Sequence, residues 1–262
     1  METLVLKLGG VLITDKKRGV FDRARMDLID RIAGEIAESL ENRRLILVHG
    51  AGSFGHPYVE KYGKDDIGRN PYGVSDTHLA CERLCELVCR AMLNYGLSPA
   101  PVHPFSCFSV IERAGKEAKE KTIVFDRTLF SELIEDGFIP VTHGDIVRCK
   151  NAGCKGWTVL SGDDIAVELA VHFGVKRIGF ATNTQLIVNG RKVDEYSLSS
   201  CKAGCCFERK GNVSDVTGGM AGKLEKIRKA VRSSEVFIFS GLKRGSISAF
   251  IRGEWVGTKI VP

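Results

Sequence analysis

Short apolar runs alternate with longer stretches of helical periodicity along most of the chain. The run 44–48 is apolar after its first residue, as is typical of a strand buried on both faces. Strands are predicted at 4–8, 44–48, 98–102, 138–142 and 177–181. Helices are predicted at 25–40, 76–95, 128–135 and 163–173, and the first of them carries an apolar face made by Leu28, Ile32, Ile36 and Leu40. This alternation indicates an α/β fold, with an open, mostly parallel sheet between helices in three αβα layers.

The pattern changes after Ala181. A polar, hairpin-like stretch continues to about Asn212, and the remaining elements are a helix after Met220, a strand at 236–239, a helix from about Ser246 and a strand near 258–260. We therefore expect a boundary near Gly174, with residues 1–173 and 174–262 as two lobes that share one continuous sheet.

Composition places the chain among ordinary globular proteins. It has 262 residues, 44% hydrophobic and 27% charged, with a formal net charge of +6. The basic residues are scattered and no nucleic-acid-binding motif is present, so we expect no nucleic-acid partner. No apolar run is long enough to span a bilayer, and the N-terminus lacks the pattern of a signal peptide, so a cytoplasmic protein is expected.

Nine cysteines fall into two groups. Cys81, Cys85 and Cys89 recur every four residues, which predicts a buried stripe on one helix face. The other cysteines contain no C-x-x-C pair, so the spacing typical of a zinc site is absent. If the two groups met in space they could bind a metal ion, but reduced thiols without a metal are expected.

A glycine-rich loop follows the strand at 44–48 and ends in a histidine, Gly50-Ala-Gly-Ser-Phe-Gly-His56. The glycines formally match the dinucleotide fingerprint, but the second strand with its acidic end is missing from 57–70. Glycines here let backbone amides approach an anion closely. His56 is then placed to donate a hydrogen bond to a phosphate oxygen.

A second glycine-rich loop ends in a lysine at the start of a helix, Asp215-Val-Thr-Gly-Gly-Met-Ala-Gly-Lys223. It is not a P-loop, because the P-loop pattern G-x-x-x-x-G-K-[ST] would need glycine in place of Thr217 and a serine or threonine in place of Leu224. Its glycines nevertheless precede a helix N-terminus, which attracts anions, and Lys223 is within reach of the same phosphate. Two such loops predict two facing phosphate sites, as in a kinase with a phosphorylated acceptor.

Further charged residues stand at positions that suit phosphate chemistry. Lys7 lies in an otherwise apolar strand just before Gly9-Gly10, and Lys16 follows in a polar loop. Asp163 begins a helix, where it either favours the helix dipole or stands between two lysines.

These motifs together resemble the amino-acid kinase superfamily, which includes acetylglutamate, aspartate and uridylate kinases, and within it the isopentenyl phosphate kinases. The resemblance runs from residue 5 to the C-terminus. It rests on Lys7-Leu-Gly-Gly10, Ile13-Thr-Asp-Lys16, Val48-His-Gly-Ala-Gly-Ser-Phe-Gly-His56, Ser161-Gly-Asp163, the 215–223 loop and Gly257-Thr-Lys-Ile260.

The resemblance implies an amino-acid kinase fold and transfer of the ATP γ-phosphoryl group to isopentenyl phosphate, giving isopentenyl diphosphate. Residues 1–173 would bind the acceptor and residues 174–262 the nucleotide. Mg²⁺ would be carried by the ATP phosphates, with no metal ligand from the protein. A homodimer in the cytoplasm is implied, without a membrane partner.

Site residues follow from the same resemblance. The implied catalytic residues are Lys7, Lys16, His56, Asp163 and Lys223. ATP would be bound by Lys7, Gly9, Gly10, Gly52, Thr182, Asn183, Thr217, Gly218, Gly219 and Lys223. The acceptor would be bound by Ala51, Gly55, His56, Thr77, Gly162 and Asp163, with its prenyl tail along a helix that carries Thr77, Leu79, Leu84 and Leu87.

Two positions depart from the family pattern. Val11 replaces the usual serine after Gly10. The family's T-D-V-D-G reads here Thr182-Asn-Thr-Gln-Leu186, so both acidic residues and the glycine of a segment that frames the nucleotide are replaced. Two alternatives follow: a kinase of the same fold with another phosphate, phosphonate or alcohol acceptor, and a non-catalytic nucleotide- or anion-binding member.

Overall fold

We describe a computed structural model of the chain, which covers residues 1–15, 17, 19–64, 66–114, 119–150, 156–200 and 219–262. The strands within these ranges are β1 (Glu2–Leu8), β2 (Arg43–His49), β3 (Pro99–Pro101), β4 (Phe108–Ala114), β5 (Lys119–Phe125), β6 (Ile139–His143), β7 (Asp145–Lys150), β8 (Trp157–Leu160), β9 (Arg177–Thr182), β10 (Ile187–Val188), β11 (Arg191–Lys192), β12 (Glu195–Ser197), β13 (Glu235–Ser240) and β14 (Thr258–Val261). The helices are α1 (Gly10–Ile13), α2 (Met26–Ser39), α3 (His56–Tyr62), α4 (Pro71–Asn94), α5 (Pro104–Cys107), α6 (Arg127–Glu135), α7 (Gly162–His172), α8 (Gly219–Ile227) and α9 (Ser246–Arg252).

Eight strands form the main sheet in the order β12-β14-β13-β9-β1-β2-β6-β3. All neighbouring pairs are parallel except β13 and β14, which are antiparallel. The predicted mostly parallel α/β fold is therefore confirmed. The sheet crosses Gly174, because β1 pairs with β9. A division into lobes at that residue stays a prediction.

The central strands are buried on both faces, which explains their continuous apolar sequences. In β1, Leu4, Leu6 and Leu8 point to one core, whereas Val5 points to the other. Helices α2, α4 and α9 cover the first face and α6, α7 and α8 cover the second. The apolar face predicted for the helix at 25–40, now α2, is confirmed in part. Ile32 and Ile36 are fully buried, and Leu28 and Leu40 are partly buried at the margin of the core.

A second, four-stranded sheet has the order β5-β4-β7-β8. The sequence analysis predicted no strand between 103 and 127 or between 143 and 162. Charged residues interrupt the apolar face there: β4 buries Val110 and β5 buries Ile123, while Glu112 and Lys121 occupy the next positions of the same face. Half-buried antiparallel strands of this kind give a weaker apolar signal than the central parallel ones.

Helix α4 carries the three cysteines of the predicted buried stripe. Cys81, Cys85 and Cys89 are all buried, as expected from their spacing of four residues. No helix of the described ranges is both long enough and apolar enough to cross a membrane.

The carboxyl ends of β1, β2 and β6 lie at one edge of the sheet, because these strands are parallel. The residues that follow them are Gly9-Gly10, Gly50 and Gly144. In open α/β sheets, ligands bind at this edge.

Candidate active site

A cleft opens at the carboxyl ends of these central strands. It is lined by Lys7, Gly10, Gly50, Ala51, Gly52, Gly55, His56, Val59, Thr77, Cys81, Gly144, Asp145, Ile146, Val159, Leu160, Ser161, Gly162 and Asp163. Every acceptor-binding residue predicted from the sequence is among them. The structure thus brings the loops after β1 and β2 and the start of α7 to one place.

The floor of the cleft is made of backbones that touch. A Cβ atom on Gly10 would lie 2.6 Å from the Gly52 nitrogen, and one on Gly162 would lie 2.8 Å from the His49 carbonyl oxygen. Atoms at such distances overlap, so larger residues at these positions would push the loops apart. Within the described residues, the amides of Gly10 and Gly52 have no backbone acceptor. They are therefore available to an anion in the cleft.

Thr14 fixes the glycine loop after β2 to the segment after β1. Its hydroxyl donates to the Gly10 carbonyl at 2.7 Å and accepts from the Ser53 amide at 3.0 Å. Gly52 between them has a φ of +54°, a conformation that L-residues with a side chain rarely adopt. The loop therefore has a defined shape before any ligand arrives.

A buried ion triad stands at the side of the cleft. One carboxylate oxygen of Asp163 lies 2.7 Å from Lys7 Nζ, and the other lies 2.7 Å from Lys223 Nζ. The lysines come from β1 and α8, and the aspartate from the first turn of α7. Of the two interpretations of Asp163, the structure supports a carboxylate placed between two lysines.

The charges of the triad depend on one another. Burial alone would raise the pKa of Asp163, but Lys223 and Lys7 outweigh it and hold that pKa well below its usual range. Burial lowers the pKa of Lys223 to about 8, although the charge of Asp163 opposes the shift. Asp163 is therefore ionised throughout the physiological pH range, whereas Lys223 begins to lose its proton just above neutrality.

The acceptor side of the cleft combines polar and apolar groups. His56 is the first residue of α3, and its half-buried side chain lines the cleft beside Ala51 and Gly55. Thr77 of α4 faces the same space, as predicted for the tail-binding helix. The apolar part of the wall is built by Val59, Cys81, Ile146, Val159 and Leu160.

The other residues of the predicted tail slot lie elsewhere. Leu84 is fully buried in the core beneath the main sheet, Leu87 packs against that core, and Leu79 is exposed. None of the three lines the cleft. Strands β7 and β8, which the sequence analysis did not predict, provide Ile146 and Val159 in their place.

Some of the residues predicted to bind ATP lie within the described ranges, and others do not. Gly9 follows β1 and donates its amide to the Ala181 carbonyl at 2.7 Å, which puts it beside Thr182 at the end of β9. Asn183 comes next and accepts a hydrogen bond from Ser240 at 2.8 Å through its carbonyl. Gly219 is the first residue of α8. The predicted residues Lys16, Thr217 and Gly218 lie outside the described residues.

The segment that departs from the family pattern is well packed. Leu186 is fully buried in the core on the α7 face, and its amide donates to the Thr258 hydroxyl at 3.2 Å. Gln185 donates to the Val193 carbonyl at 3.1 Å. The replacements thus give this segment its own apolar and hydrogen-bonded anchors.

A second ion pair lies next to the triad and was missed from the sequence. Lys226, one turn beyond Lys223, lies 3.0 Å from Asp164 and donates to the Ser161 hydroxyl at 2.7 Å. Lys121 of β5 lies 3.8 Å from the same carboxylate. In the sequence, the only indication of this second pair was that the acidic residue at 163 is followed by another at 164, and the lysine at 223 by another at 226. Together the pairs attach α8 to the N-terminus of α7.

Comparison with known proteins agrees with this geometry. Residues 2–240 match the model of the amino acid kinase family. The isopentenyl phosphate kinase of Haloferax volcanii is 34% identical over 265 residues, covering 99% of both chains. That of Methanocaldococcus jannaschii is 30% identical over 269 residues, covering 98% of this chain and 97% of the relative.

A solved structure described as isopentenyl phosphate kinase superposes with a TM-score of 0.77 at 26% identity, and covers 99% of this chain and all of that chain. The chain therefore belongs to the amino acid kinase family, and over nearly its whole length it is similar to isopentenyl phosphate kinases.

Proposed function

We propose that this protein is an isopentenyl phosphate kinase, which transfers the γ-phosphoryl group of ATP to isopentenyl phosphate and releases isopentenyl diphosphate and ADP. One observation supports this function best. The Lys7–Asp163–Lys223 triad stands in one cleft with His56, the glycine loops and an apolar wall. Such a cleft offers separate surfaces to a phosphate group and to a short hydrocarbon tail.

Positive charge and positioning carry most of the catalysis of phosphoryl transfer. An oxygen of the acceptor phosphate attacks the γ-phosphorus, and the bond from that phosphorus to the β–γ bridging oxygen breaks. Lys7 and Lys223 would neutralise the charge that develops on the transferring group and on ADP. An acceptor phosphate is already ionised near neutral pH, so the step needs no general base.

His56 would hold the acceptor phosphate by donating a hydrogen bond from its ring. The amides of Gly10 and Gly52, which have no backbone acceptor among the described residues, would donate to phosphate oxygens in the same space. Asp163 would keep the two ammonium groups at fixed positions, which lowers the reorganisation needed during the reaction. The apolar wall would enclose the prenyl group and exclude water.

Magnesium fits this site as a companion of the nucleotide. Both oxygens of Asp163 face lysines, and Asp145, the other carboxylate lining the cleft, accepts from the Ile146 amide and contacts His78. Of the described residues in the cleft, no carboxylate is left for a magnesium ion. When bound, Mg²⁺ would neutralise charge on the ATP phosphates.

The proposal extends to the organisation of the protein. We assign acceptor binding to residues 1–173 and nucleotide binding to 174–262, in a cytoplasmic homodimer. Light scattering coupled to size-exclusion chromatography tests the dimer, and a mass of one chain, 28.7 kDa, would contradict it.

The activity is tested by measuring ADP release with ATP and magnesium against isopentenyl phosphate, dimethylallyl phosphate, fosfomycin and a blank without acceptor. Rapid turnover with the prenyl phosphates alone is expected. Turnover with fosfomycin only would favour a kinase of the same fold with another acceptor. Folded protein without any turnover would favour a binding role, and the segment 183–186 would then be the first place to examine.

A further inference from the structure

Histidines gather behind the acceptor side of the cleft. Four of the six in the chain, His49, His78, His103 and His143, are linked by stacked or edge-to-face ring contacts or by a hydrogen bond. They come from β2, α4, the residue before α5, and β6. None has a part in the proposed phosphoryl transfer, so this cluster calls for another explanation.

Two of these rings approach each other through nitrogen atoms. His103 Nδ1 lies 3.1 Å from His143 Nε2. The other nitrogen of His143 lies 3.2 Å from the Gly144 carbonyl oxygen, which accepts hydrogen bonds and cannot donate them. The proton of a neutral His143 therefore belongs on Nδ1, and Nε2 presents a lone pair to His103.

The outer nitrogen of His103, Nε2, lies 3.8 Å from a carboxylate oxygen of Glu82, which is longer than a hydrogen bond but attracts a proton on that nitrogen. With a cation bound between the rings, both outer nitrogens would carry the protons, and the two lone pairs that then face each other would both be ligands. Imidazoles that bind metals commonly donate their other N–H to a carbonyl or carboxylate in this manner.

A thiol completes the group. The Cys85 sulfur, His103 and His143 offer one ligand atom each, and these three atoms lie within 4.8 Å of one another. Two imidazole nitrogens on a tetrahedral zinc ion, each about 2.0–2.1 Å from it, are roughly 3.3 Å apart. The distance of 3.1 Å between the two rings is close to that value.

We propose that Cys85, His103 and His143 form a binding site for Zn²⁺ or a similar first-row transition-metal ion. One sulfur and two imidazole ligands suit such ions and do not suit Mg²⁺ or Ca²⁺. The site is therefore separate from the magnesium that accompanies ATP. A fourth position remains for water or for a neighbouring side chain.

The charges around the site favour a cation. Glu82 and Asp145 lie beside the three ligands, and in the described part of the chain their ion pairs are formed with histidines alone. The Cys85 thiol would lose its proton to the solvent when the ion binds.

The site is accessible from the surface. The His103 side chain is 30% exposed, and it lines a groove with Glu82 and Cys89 along α4. On the opposite side, Cys81 of the same helix and Asp145 line the cleft. A metal ion here would connect β6 with α4, the helix that carries Thr77 and Cys81 of the cleft, and would stabilise the packing of these two elements.

The test uses the full-length chain without an affinity tag, stripped with EDTA in a non-coordinating reductant and titrated with Co²⁺. We expect saturation at one Co²⁺ per chain, with a thiolate-to-cobalt charge-transfer band in the near ultraviolet and the visible bands of a four-coordinate ion. Cys85→Ser should abolish the charge-transfer band. His103→Asn removes a direct ligand and should abolish saturable binding over the same range of Co²⁺ concentration.

Matched variants control for general effects. Cys107→Ser removes a sulfur that hydrogen-bonds to the His103 carbonyl, and His172→Asn removes an exposed ring on α7; both should bind like the wild type. Zn²⁺ should raise the melting temperature of the wild type and leave that of His103→Asn unchanged. His103 is partly exposed, so this variant decides the question if Cys85→Ser fails to fold.

Three results would overturn the proposal: no saturable cobalt binding, a charge-transfer band that survives in folded Cys85→Ser, or equal losses in the control variants. The contact between His103 and His143 would then be an ordinary hydrogen bond between imidazoles, with the proton on His103 Nδ1.

Discussion

Lys223 donates a hydrogen bond of 2.7 Å to Asp163, although 60 residues separate the two in sequence. The opposite oxygen of the same carboxylate faces Lys7, so one anion holds two cations that would otherwise repel each other. Because Lys7 and Asp163 are buried and Lys223 is only slightly exposed, their positions are fixed by β1, α7 and α8 before a ligand enters. This arrangement is suited to a reaction in which charge builds up on phosphate oxygens.

Replacement of Lys223 tests its part in the reaction. Lys223→Met should lower kcat about 100-fold or more, since loss of one donor to a developing oxyanion typically costs that much. The fold should be retained, as judged by circular dichroism and the melting temperature. Lys229→Met is the matched control, because Lys229 is largely exposed and pairs with Glu168 outside the cleft. Equal losses in both variants would show that the effect is not specific to the cleft.

The pH dependence of kcat/KM for ATP should report Lys223. Its charged form attracts the phosphates, and burial lowers its pKa to about 8 in the free protein. The charged fraction therefore falls as the pH rises, and kcat/KM should decline with a midpoint near 8. A pH series of initial rates, in buffers of constant ionic strength, measures this decline.

Two variants identify the titrating group. Lys223→Arg should move the decline to higher pH, because the guanidinium stays charged. Asp163→Asn should move it to lower pH, since the carboxylate opposes the loss of the lysine proton. If the midpoint of the decline in kcat/KM is the same in both variants as in the wild type, a group other than Lys223 is titrating.

His56 should matter for the acceptor and not for the nucleotide. His56→Ala is expected to raise KM for isopentenyl phosphate or lower kcat by at least about tenfold, as the loss of a charge-assisted hydrogen bond would do. The Kd for ATP, measured by calorimetry, should change little. His172→Ala provides the control, since His172 lies at the far end of α7. If ATP binding weakened while use of the acceptor did not, the assignment of this loop would be wrong.

The sequence predicted the central part of the fold because burial there is uniform. Strands such as β2 and β9 have continuous apolar centres between polar ends, and the helices between them keep a single apolar face. Glycines and a histidine directly after these strands identified the loops of the cleft. These loops must then lie at the carboxyl edge of the sheet, because ligand-binding loops of open α/β folds follow the carboxyl ends of parallel strands.

Contacts between segments that are distant along the chain could not be predicted from the sequence. Nothing in the local pattern relates Lys226 to Asp164, and the strand at 145–150, which supplies Ile146 to the cleft, alternates charged and apolar residues. The sequence left open which residues of α4 would line a slot for the prenyl tail, for the same reason: helical spacing indicates which residues share a face of α4, but it does not indicate which face meets a cavity.

The contact between the two glycine loops should be sensitive to a single methyl group. Gly10→Ala would put Cβ 2.6 Å from the Gly52 nitrogen, so the loops must separate. We expect kcat to fall roughly 100-fold, as small misplacements of reacting groups can cause. Gly96→Ala is the control: Gly96 has a φ of +75° and open space around it, so that variant should lose some stability and keep its kcat. Normal activity in Gly10→Ala would show that the loops yield without consequence.

The segment after β9 should owe its stability to Leu186, which stands where the family pattern has a glycine. Leu186 is fully buried, so Leu186→Ala should lower the free energy of unfolding by about 2–5 kcal/mol. Ile187 is its natural control, because it is 40% exposed, and Ile187→Ala should change that free energy by no more than about 0.5 kcal/mol. Urea unfolding followed by fluorescence measures both. Equal effects would mean that Leu186 does not anchor the segment, and the departure from the family pattern would need another physical explanation.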